Sequence, residues 1–443
     1  MDEIKIIIDK TNEFLWGFPL IVLLVVTHIY LTFKLKFIQK YIFKAIKLSV
    51  KKDDSAGNVS NFAALSISLA ATLGTGSIVG MATAVAVGGP GAVFWMLVVG
   101  FFGVATKYAE CVLSIKYRVK NENNEYAGGP MYIMKNVLKQ KWFAYIFAFI
   151  GLCVAVIAGG MLQVNTIADV LGDAYGTNSY LVGVVVAVLV GVVILGGLKN
   201  IAKACEFLVP IMGVVYLIAA LIILAMHIEA VPAVAALIVK SAFSGKAAFG
   251  GFAGVAIMKA VFMGTSRSVF STEAGLGSAG IAAAAAKTEN PVRQGLIAST
   301  SVFWAMLVCT LTGFIILLAG DWHSGAKFAG DLCNSAFATI PYAGVVILVV
   351  SLVVFSFTTI IGWAYYGEKF IEFLGGGKVI IPFRILWLGF MFLGAVAASR
   401  LVWSLVELFI ALFAIPNLIM IFILRKDIFK ETDKYLEKEI KNI

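Results

Sequence analysis

The sequence predicts an all-α, polytopic membrane fold, and three observations carry that expectation. Hydrophobic residues make up 61% of the 443 positions and charged residues only 14%, a balance that leaves no ordinary soluble domain over. Apolar runs of helix length, each able to cross a hydrocarbon core of ~30 Å, recur from one end of the chain to the other. Two of these runs are interrupted at their centres by glycines, hydroxyls and charges.

In chain order the runs span about 14–33, 61–87, 91–115, 143–171, 179–198, 205–226, 251–285, 294–319, 341–366, 380–399 and 402–424, which gives 11 transmembrane helices. The first follows Met1-Asp2-Glu3 without the basic region of a cleaved signal and is read as a retained span. Two connections exceed a turn. The 116–142 stretch holds Tyr126-Ala-Gly-Gly-Pro130-Met131 and an amphipathic helix ending near Gln140. The 227–250 stretch carries Pro232 and a short apolar run at Val231–Val239, suited to lying in the interface or covering an entrance. No low-complexity linker divides the chain, so residues 1–443 form a single domain.

Charge sets the expected orientation. If 34–52 faces the cytoplasm and the runs alternate, 26 Lys and Arg fall inside and 6 outside. By the positive-inside tendency the N-terminus lies outside and the C-terminus in the cytoplasm of a cell-membrane protein. The net charge of +10 then faces anionic lipid and is no sign of nucleic acid. The five cysteines (Cys111, Cys153, Cys205, Cys309 and Cys333) have no metal spacing, and the three histidines (His28, His227 and His323) do not cluster. The cysteines read as small buried hydrophobes.

The first interruption is Ala70-Ala-Thr-Leu-Gly74-Thr-Gly76-Ser-Ile-Val-Gly80. Glycine weakens a helix interior by roughly 0.5–1 kcal/mol relative to alanine, and unwound backbone at membrane depth survives only in protein or along a cavity. Its freed N–H groups suit a carboxylate and its freed carbonyls a cation; close helix packing is the other reading of such glycines. The second interruption is Met263-Gly-Thr-Ser-Arg267-Ser-Val-Phe270-Ser-Thr-Glu273-Ala-Gly-Leu-Gly277. Charges at membrane depth mark a functional site by default; the other readings are a structural Arg267–Glu273 pair or Glu273 at the inner water interface.

With 14–33 set aside as an extra helix, each interrupted run heads a set of five, 61–226 and 251–424. Five is odd, so the halves are inverted, and paired broken helices in inverted halves point to a midplane binding site. The third members carry matching polar positions. Gln163 and Asn165 follow Gly159-Gly160, and Thr358-Thr359 precede Trp363, with Thr359 and Trp363 on one helix face. Gln163 reads as a binding amide or as an interhelical hydrogen bond. The threonines read as oxygen ligands for a hard cation or as back-bonded to the preceding turn. Trp363 reads as a gate or as packing. Lys107 and Glu110, three apart, can pair with each other or meet Arg267 or Glu273.

Seven motifs in order resemble the alanine or glycine:cation symporters of the amino acid–polyamine–organocation superfamily. They are Gly74-Thr-Gly-Ser77, Gly88-Gly-Pro-Gly-Ala-Val-Phe-Trp95, Ala105-Thr-Lys-Tyr-Ala-Glu110, Gly128-Gly-Pro-Met131, Phe270-Ser-Thr-Glu-Ala-Gly-Leu-Gly-Ser-Ala279, Ala282–Thr288 and Gly362-Trp-Ala-Tyr-Tyr-Gly-Glu368. The resemblance implies a leucine-transporter-like 5+5 inverted-repeat core plus one extra N-terminal helix. It also implies sodium-coupled import of alanine or glycine by alternating access. Thr75 and Gly76 N–H would hold the substrate carboxylate, with Ser77 and Gln163 facing the rest of its polar backbone. Phe270, Thr359 and Trp363 would bound a methyl-sized pocket, and Ala70 and Leu73 carbonyls with Thr358 and Thr359 hydroxyls would hold sodium. Sodium is then a coupling ion, with no cofactor and no obligate protein partner expected. This chain departs from the family in having Ser77 where Asn is usual. It also has Arg267-Ser268 for Arg-Gly and Ser271-Thr272-Glu273 for Ser-Asn-Glu. Alternatives are proton coupling through Glu110 or Glu273, another small amino acid, or a membrane receptor for one. The lack of a sizeable cytoplasmic domain argues against a receptor. No His-Glu-x-x-His, Ser/His pair or cofactor motif supports an enzyme.

Overall fold

The computed structural model describes residues 2–53, 55–244, 253–322 and 329–440. The first two residues of the seventh apolar run, the end of the 227–250 stretch, His323, Lys246 and Lys327 lie outside the described residues.

The described chain is almost wholly helical. In order, α1 is Asp2–Trp16, α2 Phe18–Lys34, α3 Ile42–Ser49, α4 Asn61–Thr72, α5 Met81–Gly88 and α6 Gly91–Lys116. A hairpin of β1 (Val119–Lys120) and β2 (Tyr126–Ala127) precedes α7, Pro130–Asn136. Then come α8, Lys141–Tyr175, α9 Ser179–Ile194, α10 Gly197–Met226 and α11 Val231–Phe243. The second half holds α12 Ala253–Thr272, α13 Ala279–Ala284, α14 Pro291–Ala319 and α15 Ala329–Phe337. It ends with α16 Gly344–Gly375, α17 Ile380–Val396, α18 Ser399–Ile423 and α19 Arg425–Ile440.

Among the described residues, eight continuous helices are long and apolar enough to cross a bilayer, and α4 with 76–88 forms a ninth, bent by 50°. The start signals sit where capping chemistry puts them. Ser60 accepts from Ala63 N at the head of α4, and Asn178 from Tyr180 N at α9. Asn290 accepts from Val292 and Arg293 N at α14, with Pro291 at the first helical position.

The two breaks differ in construction. After Thr72 the chain turns at Leu73 and re-enters helix through a widened turn at Gly76–Gly80. After Thr272, Glu273, Gly275 and Gly277 all take positive φ (53°, 99° and 80°) before α13 begins. Gly275 and Gly277 supply the left-handed backbone at little steric cost.

Both breaks are walled by α6, α8, α16 and α18. Close approach is built into the sequence. A Cβ on Gly159 would meet Trp363 at 2.2 Å, one on Gly74 would meet the Thr359 hydroxyl at 2.6 Å, and one on Gly76 would meet the Phe270 ring at 2.4 Å. Helix α1 is stitched to α18: Asn12 Nδ2 donates to Ser404 O (2.8 Å), Trp16 Nε1 to Glu407 O (2.9 Å), and Ser404 Oγ to Asp9 (2.8 Å).

At the opposite end, the hairpin joins the broken helices to the wall. Arg118 lies over the Tyr126 ring at 3.9 Å and donates to the carbonyls of Ala56, Ala284, Ala286 and Thr288. Asn58 exchanges two hydrogen bonds with Tyr126 backbone, and Asn121 Nδ2 donates to Glu372 of α16 (2.7 Å). The amphipathic helix expected to end near Gln140 is α7, which stops at Asn136, ahead of Lys139 with its positive φ of 58°.

Candidate functional site

Breaking a helix frees backbone groups that must find partners, and tracing those partners defines the site. At the first break, Thr359 Oγ1 donates to Ala70 O (2.8 Å) and Trp363 Nε1 to Ala71 O (3.3 Å). Thr75 N–H donates to Gln163 Oε1 (3.2 Å), while Gln163 Nε2 donates to Ala158 O (3.0 Å). At the second break, Lys107 Nζ donates to Thr272 O (2.9 Å) and stands 3.7 Å from Glu273 Oε2. Gly275 N–H donates to Glu110 Oε1 (2.8 Å), and Asn417 Nδ2 bridges Glu110 Oε1 and Gly275 O (2.8 and 2.9 Å). Side chains of α6, α8, α16 and α18 thus replace the missing helical bonds of both breaks.

Between the breaks lies a small cavity of about 20 Å³, lined at its two ends by Gly74 and Gly76 and by Glu273 and Leu276. Gln163, Phe270, Thr359 and Trp363 line its wall, with Ala71, Thr72, Ala158 and Ile410. This is room for about one water.

The sequence-expected residues fall in three groups. Gly76, Gln163, Phe270, Thr359 and Trp363 line the cavity, and Thr75 reaches it through Gln163. Ser77 is fully buried beside the break, its hydroxyl facing the Cys309 thiol. Ala70 is joined to Thr359, and Leu73 sits at the turn. Thr358 is not brought to Ala70: its hydroxyl donates to Phe355 O (2.9 Å) and faces Met212 Sδ of α10 at 3.4 Å.

The ion pairs sort differently from the Arg267–Glu273 pairing considered from sequence. Arg267 pairs with Glu407 of α18 (2.8 Å) and lies over Trp403 at 4.9 Å, and Trp403 packs on Phe270 with ring centroids 5.6 Å apart. Glu273 goes to Lys107 instead. Sequence reasoning passed over Glu407 and Asn417. Glu407 is the single charged residue and Asn417 the single amide of the apolar 402–424 run, and that isolation is the signal that marks them.

The family model for the sodium:alanine symporters matches residues 1–442. The chain belongs to the sodium:alanine symporter family. It is 43% identical over 449 residues to the sodium/alanine symporter AgcS of Methanococcus maripaludis, covering 99% of this chain and 98% of that one. It is 38% identical over 439 residues to the probable sodium/glutamine symporter GlnT of Bacillus subtilis, covering 98% and 91%. Among solved structures, MhsT in complex with L-phenylalanine superposes with a TM-score of 0.58 at 13% identity, over 85% of this chain and 92% of that one. That likeness is one of fold. As a member of this symporter family, the chain is a multi-pass membrane transporter of the amino-acid transport class and not an enzyme.

Proposed function

We propose that this transporter imports alanine, glycine or both, coupled to sodium, by alternating access around the cavity between the two breaks. The observation that carries the proposal is the convergence of both interrupted helices on one buried cavity flanked by Gln163, Thr359 and Trp363. Family membership and the relative named as a sodium/alanine symporter support the cargo and the ion.

In this reading, Thr75 and Gly76 N–H receive the substrate carboxylate, which displaces Gln163 Oε1 from Thr75 N. Ser77 and the freed Gln163 amide then face the polar backbone of the amino acid, and Phe270, Thr359 and Trp363 leave room for a methyl group. Sodium sits on Ala70 and Leu73 carbonyls with the Thr359 hydroxyl, which already meets Ala70 O. Thr358 joins after rotating about χ1, away from Met212, a move between staggered wells. Ion and carboxylate thus share one broken helix, so each raises affinity for the other by the same factor.

The proposed architecture is 11 spans in a leucine-transporter-like 5+5 inverted repeat, with 14–33 as the extra helix. The proposed orientation in the cell membrane is N-terminus outside and C-terminus in the cytoplasm. On that orientation Arg267 lies one helical turn outward of Phe270. The Arg267–Glu407 pair, with Trp403 packed against both Arg267 and Phe270, then forms a closed outer gate.

Uptake of labelled alanine by purified protein in liposomes tests the reading, with a sodium gradient, a proton gradient or neither imposed. Accumulation is expected with sodium alone and with competition by glycine. Accumulation with protons alone would move coupling to Glu110 or Glu273. Competition by glutamine and not glycine would replace the cargo.

A further inference from the structure

Resting on the amino-acid cargo proposed above, we propose that Glu273 Oε1 is the acceptor for the α-ammonium group of the substrate, making Glu273 the residue that selects amino acids over other small carboxylates.

Three independent features of Glu273 converge on this role. The first is its backbone. Six non-glycine residues among those described have positive φ: Lys36, Phe37, Asn124, Lys139, Glu273 and Tyr342. Five are exposed, whereas Glu273 is 2% exposed at the centre of a broken helix. A charged, non-glycine residue held in the left-handed region at membrane depth is strained, and such strain gathers where a side chain must be aimed.

The second feature is where the carboxylate points. Oε2 accepts from Ser278 Oγ at 2.6 Å and stands 3.7 Å from Lys107 Nζ. Oε1 is buried, with no hydrogen bond of good geometry among the described residues, and the Trp363 indole lies beside the carboxylate. Glu273 lines the same cavity as Gly74, Gly76 and Gln163, at the end formed by the second break. Buried carboxylate oxygens are rarely left without a donor, and an exception calls for a ligand or a function.

The third feature is charge. Glu110 and Glu273 share one buried cation, Lys107, because Arg267 is engaged by Glu407. Among the described residues, the donors that hydrogen-bond Glu110 are neutral, Gly275 N–H and Asn417 Nδ2 foremost. With these three groups ionised, the network carries one surplus negative charge inside the membrane, an expensive state that a cationic ligand group relieves. The two charged groups of an α-amino acid are separated by a single carbon. A carboxylate on the first break and an ammonium on the second therefore span the narrow cavity.

The test is competition binding on the purified full-length protein in saturating sodium. Labelled alanine is displaced by unlabelled alanine or glycine, and by L-lactate or glycolate, in which a hydroxyl replaces the ammonium. In the wild type, lactate is expected to compete at least about 100-fold more weakly than alanine. In Glu273→Gln, alanine affinity is expected to fall about 30-fold or more while the alanine-to-lactate ratio shrinks towards one. Glu273→Asp should keep part of the preference. An unchanged ratio in a folded Glu273→Gln protein would overturn the assignment, even if its response to proton gradients had altered. Should that variant fail to fold, the wild type still decides: lactate competing as well as alanine would sink the idea. If the wild type bound no amino acid at all, the cargo reading itself would fall and this assignment with it.

Discussion

Gly76 shows how a single residue can set the size of the proposed site. It stands against Phe270, so that an added Cβ would lie 2.4 Å from the ring. The ring must then shift into the cavity or the break must open, and overpacking of this kind typically costs about 1–3 kcal/mol. Gly76→Ala is therefore expected to weaken alanine binding by roughly tenfold, since 1.4 kcal/mol is a factor of ten, with glycine less affected. Titration of the purified variant with both ligands checks this, and equal affinities to the wild type would show that Gly76 does not bound the site. At this scale much was legible in the sequence. Gln163, Thr359 and Trp363 stood out as polar or bulky residues in apolar helices, and all three line the cavity. Partner choice was not legible. Arg267 and Glu273 are close in sequence, yet the left-handed turn at Glu273 sends its carboxylate to Lys107 while Arg267 reaches across to α18. Nor could sequence tell that Thr358 faces Met212 while its neighbour faces Ala70. Adjacent helical residues point about 100° apart, and only packing decides which of them meets the break.

Among elements, the β1–β2 hairpin carries the clearest structural role outside the site. Arg118 gathers four carbonyls from the start of the first broken helix and the end of the second, a set that a lysine ammonium with three donors cannot reproduce from a single point. Arg118→Lys is expected to cost about 1–3 kcal/mol, the penalty for leaving buried carbonyls unsatisfied. The loss would appear as a lowered unfolding midpoint of the purified protein in detergent, and a midpoint equal to the wild type would mean the clasp is dispensable. Hydropathy located the helices because burial in lipid demands long apolar runs, but it misjudged ends where charges are paired. The ninth run was expected to stop at 366, yet α16 continues to Gly375. Lys369 and Glu372 pair at 2.8 Å, and Glu368 takes a two-pronged bond from Arg384 (2.7 and 2.9 Å). The sixth run likewise begins earlier, at Gly197, and passes through Pro210. The hairpin escaped notice because two-residue strands have no periodicity to read.

For the whole molecule, side-chain contacts lie on either side of the cavity between the two breaks. At one end Arg267 pairs with Glu407, Trp403 packs against both Arg267 and Phe270, and the stitched helix α1 holds the backbone of α18 at Ser404 and Glu407. At the other end the hairpin ties the broken helices to α16. If Arg267 and Glu407 act as one gate, their effects on alanine transport should be strongly non-additive. Arg267→Ala and Glu407→Ala are each expected to slow uptake several-fold, with the double variant no slower than the worse single one. Multiplied losses in the double variant would separate the two residues into independent roles. The central claim is that one broken helix holds the substrate carboxylate and the coupling ion together. The most direct measurement is alanine affinity as a function of sodium concentration, in the wild type and in Thr359→Val, which removes the hydroxyl on Ala70 O. On this reading sodium tightens alanine binding in the wild type by about 5- to 150-fold, the usual range of coupling between linked sites. Alanine likewise tightens sodium binding by the same factor, and Thr359→Val abolishes both effects. Alanine affinity indifferent to sodium in the wild type, or coupling that survives intact in Thr359→Val, would contradict it.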